Sequence, residues 1–237
     1  MRQLTPAELI QLWERGLQMP PVQRAVALAE AARPDQDGPA AADLPLGERD
    51  HRLMLLHAAL FGPRIRGEDT CGECGAMLEV SLDLRELAAA HSPATPVTVR
   101  LGEQELRCRA LTTADLIAAA EADGTDLRAS LLARCVTSAE GQPAADLPAP
   151  AEAEVMSALS AADPLADVRL TVTCGECDHE WDSAFDIASF LWTEICVAAE
   201  RLLGDVHLLA MAYGWSEADV LAVGPHRRQY YLQAVGG

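Results

Sequence analysis

Aromatic side chains and positive charges are both scarce in this sequence. Only 4% of its 237 residues are aromatic, and 18 Lys and Arg stand against 36 Asp and Glu, which gives a formal net charge of −18. This excess of negative charge disfavours binding to a nucleic-acid backbone or to an anionic membrane surface. An acidic composition also arises as a bias of the source without functional meaning, and both interpretations of the charge stay open.

We also expect neither a membrane-spanning nor a secretory segment. No uninterrupted apolar run reaches about 18 residues, so we expect no membrane insertion. The first residues, MRQLTPAELIQLWERGLQ, lack the hydrophobic run and the small-residue cleavage site of a secretory signal. We therefore expect a cytoplasmic protein.

Catalytic signatures are the third absence. The chain contains no P-loop, GxGxxG, GxSxG or HExxH motif. Its acidic residues are spread throughout, and their spacing fixes no pair of carboxylates. We therefore expect a protein that is not an enzyme.

The apolar half of the composition is mostly Ala and Leu, which favours helices over an all-β architecture. We predict an α+β fold that is mostly helical, with two CxxC β-hairpins forming a split zinc ribbon, an inserted α/β segment and a C-terminal helical region. The predicted divisions are an N-terminal helical region with a Pro/Ala linker (1–65), a first hairpin (66–90), an inserted segment (91–165), a second hairpin (166–186) and a C-terminal region of one long and several short helices (187–237).

Capping residues mark several helix starts. Thr5 precedes Pro6, Thr112 precedes an aspartate three positions on, and Ser216 repeats that spacing. Apolar residues at three- and four-residue steps predict a long helix over about 187–213, ended by Gly214. Residues 94–111 read as a β-hairpin, and 33–45 and 139–150 as linkers.

The motif CGEC occurs twice, at 71–74 and at 174–177. The other three cysteines, Cys108, Cys135 and Cys196, lie in apolar or helical sequence, where we expect small buried side chains. The two motifs then leave four cysteines, which is the number of thiolates that completes one tetrahedral zinc site.

We interpret the two motifs as two halves of one structural site that holds one Zn²⁺ per chain. Each motif is flanked by extended sequence, as in the paired hairpins of a zinc ribbon, although ribbon gaps are commonly about 15–20 residues. Four sulfur ligands leave no open position for catalysis. The predicted ligands are Cys71, Cys74, Cys174 and Cys177. Three alternatives remain: a redox dithiol, two separate sites that use neighbours such as Asp178 and His179, and turns that have lost their metal.

The C-terminal forty residues concentrate aromatic and basic side chains. Aromatics and Arg are enriched at the energetic centres of protein interfaces, so we predict a partner-docking surface. Its residues are Trp215, Arg227, Arg228, Tyr230 and Tyr231. The alternatives are a local core where three helices meet and a helix-turn-helix, and the net charge disfavours DNA binding by the latter.

Four stretches in chain order carry a resemblance: FGPRI followed by CGEC, LTTADLIAAA with LLARCV, TCGECDHEWDSAFDIASFLW, and DVHLLAMAYGWSEADVLAVGPHRRQYYL. The chain resembles the baseplate hub assembly chaperone-like, or baseplate, proteins of contractile-tailed phages and contractile injection systems. The resemblance implies a non-enzymatic protein that binds other baseplate, hub or tail subunits. It would be cytoplasmic during assembly, acting either as a transient assembly factor or as a permanent part of the particle. The alternative is a zinc-ribbon adaptor for nucleic acid or protein that is unrelated to tails.

Overall fold

A computed structural model describes residues 4–33, 38–122, 126–144 and 146–236. Within these ranges the chain forms ten α-helices and seven strands. The helices are α1 (Pro6–Leu17), α2 (Pro21–Ala31), α3 (Leu46–Leu60), α4 (Leu84–Ala89), α5 (Thr113–Ala120), α6 (Leu127–Cys135), α7 (Ala149–Ala162), α8 (Ile187–Tyr213), α9 (Glu217–Ala222) and α10 (Pro225–Gly236). The strands are β1 (Arg64–Thr70), β2 (Met77–Asp83), β3 (Val97–Leu101), β4 (Gln104–Cys108), β5 (Val136–Ser138), β6 (Val168–Thr173) and β7 (Glu180–Phe185).

The strands form three small antiparallel sheets. β1 pairs with β2, β6 pairs with β7, and β3, β4 and β5 make a three-stranded sheet. The predicted hairpin over 94–111 is confirmed as β3 and β4, in which Leu101 pairs with Gln104 across the turn. Helices dominate the rest, so the predicted α+β, mostly helical class is also confirmed.

The principal core joins the two ends of the chain. On α8, Ile187, Leu191, Ile195 and Ala199 follow one another at four-residue steps, and each is at most 1% exposed. This stripe packs on α1, α2 and α3, because side chains four apart share one face of a helix. Burying each large aliphatic side chain stabilises the fold by ~1.5–3 kcal/mol. The predicted divisions 1–65 and 187–237 therefore contribute to the same core.

The inserted segment has a core of its own, built from β3, β4, β5, α6 and α7. Val99, Leu106 and Val155 are buried there together with Cys108 and Cys135. Burial raises the pKa of the Cys135 thiol to about 11, so this thiol is expected to be inert. The predicted burial of these two cysteines is confirmed, whereas Cys196 on α8 is only half-buried.

Two long-range hydrogen bonds dock the inserted segment on the start of α3. Helix α3 follows Pro45, whose side chain offers no oxygen to cap the first amides. The Leu46 amide instead donates to the Leu111 carbonyl at 2.9 Å, and the Gly47 amide donates to Oδ2 of the buried Asp163 at 3.0 Å. The cap of this helix therefore comes from residues far along the chain.

The first predicted linker, 33–45, is correct only in part. Residues 34–37 of it lie outside the described residues. Ala41 begins a short 3-10 turn that ends at Asp43, and both Ala41 and Leu44 are buried in the principal core. Ala41 and Leu44 anchor this segment in the core, and its 3-10 turn contacts α2 and α5, although its composition resembles that of a free linker.

Helix α5 begins with a capping box that an arginine reinforces. Arg109 donates to both carboxylate oxygens of Asp115 at 2.7 and 2.9 Å, and the Thr112 amide donates to the same carboxylate at 2.9 Å. Burial alone raises the pKa of Asp115, but these hydrogen bonds outweigh it and lower the pKa to about 2. The ionised carboxylate therefore stabilises the fold.

We expect Asp115→Asn to destabilise the protein by about 1–2 kcal/mol near neutral pH, measured by urea unfolding. Because the folded pKa lies below the ordinary value, the stabilising contribution is complete above about pH 4 and is lost as the pH falls towards 2. The difference in the free energy of unfolding between wild type and Asp115→Asn should therefore become smaller as the pH falls from 4 towards 2. The matched control is Asp219→Asn, which alters the Ser216 capping box at an exposed position without an arginine; an equal loss in both variants would contradict the role of Arg109.

Candidate metal centre

The two CGEC motifs occupy the turns of two hairpins with the same register. Thr70 pairs with Met77 at the end of β1 and β2, and Thr173 pairs with Glu180 at the end of β6 and β7. We call the turns at 71–74 and 174–177 the cysteine turns. In each one, the amide of the first cysteine donates at 2.9 Å to the carbonyl five residues later. The same turn is thus built twice.

The residue after each second cysteine has a left-handed backbone. Gly75 has a φ of 74° and Asp178 a φ of 57°. Glycine adopts this conformation at no steric cost, and aspartate is among the few other residues that tolerate it. In both turns this reversal places the amide of that residue against the carbonyl of the first cysteine, at 2.9 and 3.0 Å. Asp178 therefore shapes the second turn.

The repeat continues beyond the hairpins into the helices that follow them. Asp83 ends β2 and its side chain caps α4, and Asp186 follows β7 and caps α8 in the same way. The next residues, Leu84 and Ile187, are each 1% exposed in the principal core. The repeated unit is therefore a hairpin plus a capped helix. The pairs Leu82-Asp83 and Phe185-Asp186 lie at equal distances from their cysteines. They are the sequence signal that the repeat extends beyond CGEC.

The four cysteine sulfurs form one cluster. Their Sγ atoms all lie within 4.8 Å of one another. Cys71 Sγ is 3.7 Å from Cys177 Sγ, and Cys74 Sγ is 3.5 Å from Cys174 Sγ. Tetrahedral zinc with Zn–S bonds of ~2.3 Å requires sulfurs about 3.8 Å apart, whereas a disulfide requires ~2 Å. All four cysteines are free thiols. The donor set and its spacing therefore fit one structural metal ion, as predicted.

Electrostatics at the cluster also favours a cation. Backbone amides of Cys74 and Glu73 lower the pKa of Cys71 to about 6. The amide of His179 lowers the pKa of Cys177, but the Cys74 sulfur, burial and the other two sulfurs outweigh it and raise the pKa to about 12. Thiolates this close repel one another, so they cannot all ionise unless a positive charge lies between them. A divalent ion supplies that charge.

Two of the alternative interpretations do not fit this geometry. A single cluster of four sulfurs is incompatible with two independent sites. A thioredoxin-like dithiol requires a helix directly after its motif, whereas strands β2 and β7 follow the cysteine turns here. The predicted connection between the two motifs across the fold is thus confirmed at the level of the cysteine cluster.

Trp181 joins the two hairpins beside the cluster. Its Nε1 donates to Asp69 Oδ2 at 3.1 Å, and the ring of His179 stacks on the indole with centroids 5.7 Å apart. Among the described residues, the sulfur cluster includes neither His179 nor Asp178. His179 therefore packs on Trp181, the residue that joins the two hairpins. Asp178 provides the left-handed backbone of the second cysteine turn.

The predicted docking residues lie at the C-terminal end of the fold, in three different environments. The half-buried rings of Trp215 and Tyr231 pack edge to face at 5.1 Å, and Tyr213 stacks on Trp215 at 5.1 Å. Arg227 is exposed, and Tyr230 is 70% exposed. Part of this group is thus a local aromatic core, which was the alternative to a docking surface.

Arg228 differs from the other four predicted docking residues. It is only 8% exposed, and its Nε lies 3.1 Å from Asp205 Oδ2 on α8. Its guanidinium is therefore directed towards α8 and ties α10 to that helix. Arg228 is therefore not part of an exposed docking surface.

A second group of ligating side chains was not predicted. Glu48 and His51 on α3 lie close to His91, which follows α4. The spacing Glu-x-x-His on a helix was a usable signal for the first two residues. Nothing in the sequence near His91 indicated that it reaches the same place.

No helix in the described ranges combines the length with the apolar character needed to cross a bilayer. A scan of protein-family models, a search of curated proteins and a search of solved structures found no match to this chain.

Proposed function

We propose that Cys71, Cys74, Cys174 and Cys177 hold one zinc ion and that the two hairpins around it form a split zinc ribbon. The observation that carries this proposal is the single cluster of free sulfurs contributed by two equivalent turns. Zinc suits an all-thiolate tetrahedral site, and four protein ligands leave no coordination position for a substrate. The ion would then act as a structural crosslink. Elemental analysis of pure protein should find one tightly bound zinc per chain.

The crosslink would fix the base of the longest helix. β7 leaves the second cysteine turn and runs into Asp186, the cap of α8. Helix α8 extends over 27 residues to Tyr213, which is about 40 Å at 1.5 Å per residue. A rigid base therefore sets the position of the far end of the helix, where the predicted docking residues lie.

The far end of α8 and helix α10 expose large apolar side chains. Leu208 and Tyr213 are partly exposed, and Met211 is 74% exposed. Tyr230 adds a further aromatic side chain on α10, beside the exposed Arg227. We call these five residues the C-terminal surface. Exposed apolar and aromatic side chains are frequent in protein interfaces.

The function that we propose is that of a non-enzymatic protein of a contractile tail or injection-system baseplate, which binds other baseplate, hub or tail subunits through the C-terminal surface. The four stretches of sequence resemblance support the baseplate assignment, and the apolar C-terminal surface supports action by protein binding. The protein would be cytoplasmic during assembly. It would act there as an assembly factor, or it would be retained as a structural component of the particle.

Particle analysis in cells that lack this protein tests the proposal. Loss of assembled tails, restored by the wild-type chain, is the expected result. Quantitative mass spectrometry of purified particles then separates the two roles, because a component is present at fixed stoichiometry and an assembly factor is absent. Normal particles in cells that lack the chain, with no trace of it in wild-type particles, would contradict a baseplate function.

Variants of the C-terminal surface test the docking role. Arg227→Ala and Tyr230→Ala change exposed side chains, so we expect unchanged folding and at least a tenfold loss of restored particles when both are combined. Arg228→Ala is the matched control, because it breaks the buried ion pair with Asp205 and should lower thermal stability. If the folded double variant restores assembly fully, the interface lies elsewhere.

A further inference from the structure

A second cluster of side chains of the kinds that bind metals is formed by Glu48, His51 and His91. None of them belongs to the cysteine cluster. One ligand atom from each lies within 4.8 Å of the others. Glu48 Oε2 is 2.7 Å from His91 Nε2, and the rings of His51 and His91 stack with centroids 4.1 Å apart. All three residues are half-buried.

The three residues are positioned by two separate elements. Glu48 and His51 lie one turn apart on α3, so their side chains leave the same face of the helix. His91 follows α4, which packs against α3. The second carboxylate oxygen of Glu48 is held by Arg52 Nε at 3.1 Å, which leaves Oε2 directed at the histidines. Such support from an outer residue is typical of carboxylate ligands.

A simple ion pair does not account for this arrangement. Glu48 and His91 alone would form that pair, yet His51 stacks face to face on the same imidazole. The ring of His51 also offers a nitrogen within 4.8 Å of the ligand atoms of Glu48 and His91. One cation could therefore be bound by both rings and the carboxylate.

We infer that Glu48, His51 and His91 form a second metal site, which binds a divalent transition ion such as Zn²⁺ or Co²⁺. Two imidazoles and one carboxylate suit these ions, whereas Ca²⁺ and Mg²⁺ prefer sites made of oxygen ligands. Three protein ligands leave at least one position for water, so this ion exchanges more readily than one held by four thiolates. Because the rings are nearly parallel, 12° apart, one imidazole has to turn about its Cβ–Cγ bond before both can bind one ion.

The inference is independent of the proposed function, and cobalt separates the two sites. In metal-free protein, Co²⁺ at the cysteine cluster gives thiolate-to-cobalt charge-transfer bands, whereas Co²⁺ bound by imidazole and carboxylate gives only weak ligand-field bands. With zinc already at the cysteines, calorimetry should detect one further equivalent of Co²⁺. Each site can thus be found present or absent by itself.

His51→Gln is the decisive variant, because it leaves the Glu48–His91 ion pair in place. We expect at least a tenfold weaker second binding event, with the thiolate bands unchanged. His226→Gln, at an exposed histidine on α10, is the matched control and should bind like wild type. With zinc already at the cysteines, further Zn²⁺ should raise the melting temperature of the wild type and the control, but not of His51→Gln.

Two results would overturn the inference. The first is the absence of a second equivalent of Co²⁺ in the folded wild-type protein. The second is a second equivalent that His51→Gln binds as tightly as wild type, which would place the ion elsewhere. His51 belongs to neither hydrophobic core, so we expect His51→Gln to fold. Circular dichroism of the variant checks this.

Discussion

If the cysteine cluster holds zinc as proposed, Cys74→Ser and Cys177→Ser should each release the ion and abolish most of the stability that it supplies. A structural zinc site contributes on the order of 10 kcal/mol to folding, and a site with three thiolates and one hydroxyl is far weaker. We expect zinc content near zero in either variant and a large fall in the urea midpoint. The measurement is elemental analysis combined with equilibrium unfolding.

The double variant distinguishes one shared site from two. If both cysteines serve one ion, the first substitution already removes its contribution, so Cys74→Ser with Cys177→Ser should cost little more than either alone. Additive losses would contradict a shared site. Cys196→Ser is the matched control, because this half-buried cysteine lies on α8 outside the sulfur cluster, and the variant should retain its zinc.

Gly47→Ala is expected to destabilise the protein by about 3 kcal/mol. A methyl group at this position would overlap Asp163 Oδ1 and crowd Leu165 Cβ at 3.2 Å. Asp163 is buried and accepts the Gly47 amide, so moving it aside leaves the start of α3 without its cap. Overpacking and a lost buried hydrogen bond each cost ~1–3 kcal/mol. Urea unfolding measures the sum.

We expect Gly204→Ala on α8 to have the opposite effect on stability. No atom lies within 4 Å of a methyl group added there, and alanine is a better helix former than glycine by roughly 1 kcal/mol. The same chemical change should therefore destabilise at position 47 and stabilise at position 204. If Gly47→Ala and Gly204→Ala lowered the stability equally, the loss at position 47 could not be assigned to the clash with Asp163.

The features that follow from local sequence were predictable. Thr5, Thr112 and Ser216 cap helices as predicted, because a capping box involves residues only three apart. The limits of α8 were set by its apolar spacing and by Gly214, whose positive φ ends the helix. The four cysteines were recognisable as one candidate site because two CxxC turns, each flanked by extended sequence, together supply four thiolates.

The features that depend on distant contacts were not predictable. Asp163 caps a helix more than a hundred residues away, and His91 meets Glu48 on α3 from the far side of an intervening hairpin in the sequence. Arg228 was predicted to belong to the docking surface because arginine is enriched at interfaces, but it is buried and paired with the carboxylate of Asp205. Partners of this kind are set by tertiary structure, which composition and periodicity do not encode.

The cysteine cluster closes residues 75–173 into a loop whose two ends are held at one point. Residues 139–143 in that loop are exposed, so a protease can cut there. If the cluster holds an ion, metal–sulfur bonds would join the two pieces of a nicked chain in addition to the principal core that both pieces share. Chelation would leave only the core contacts, so the nicked molecule should then dissociate at a higher protein concentration.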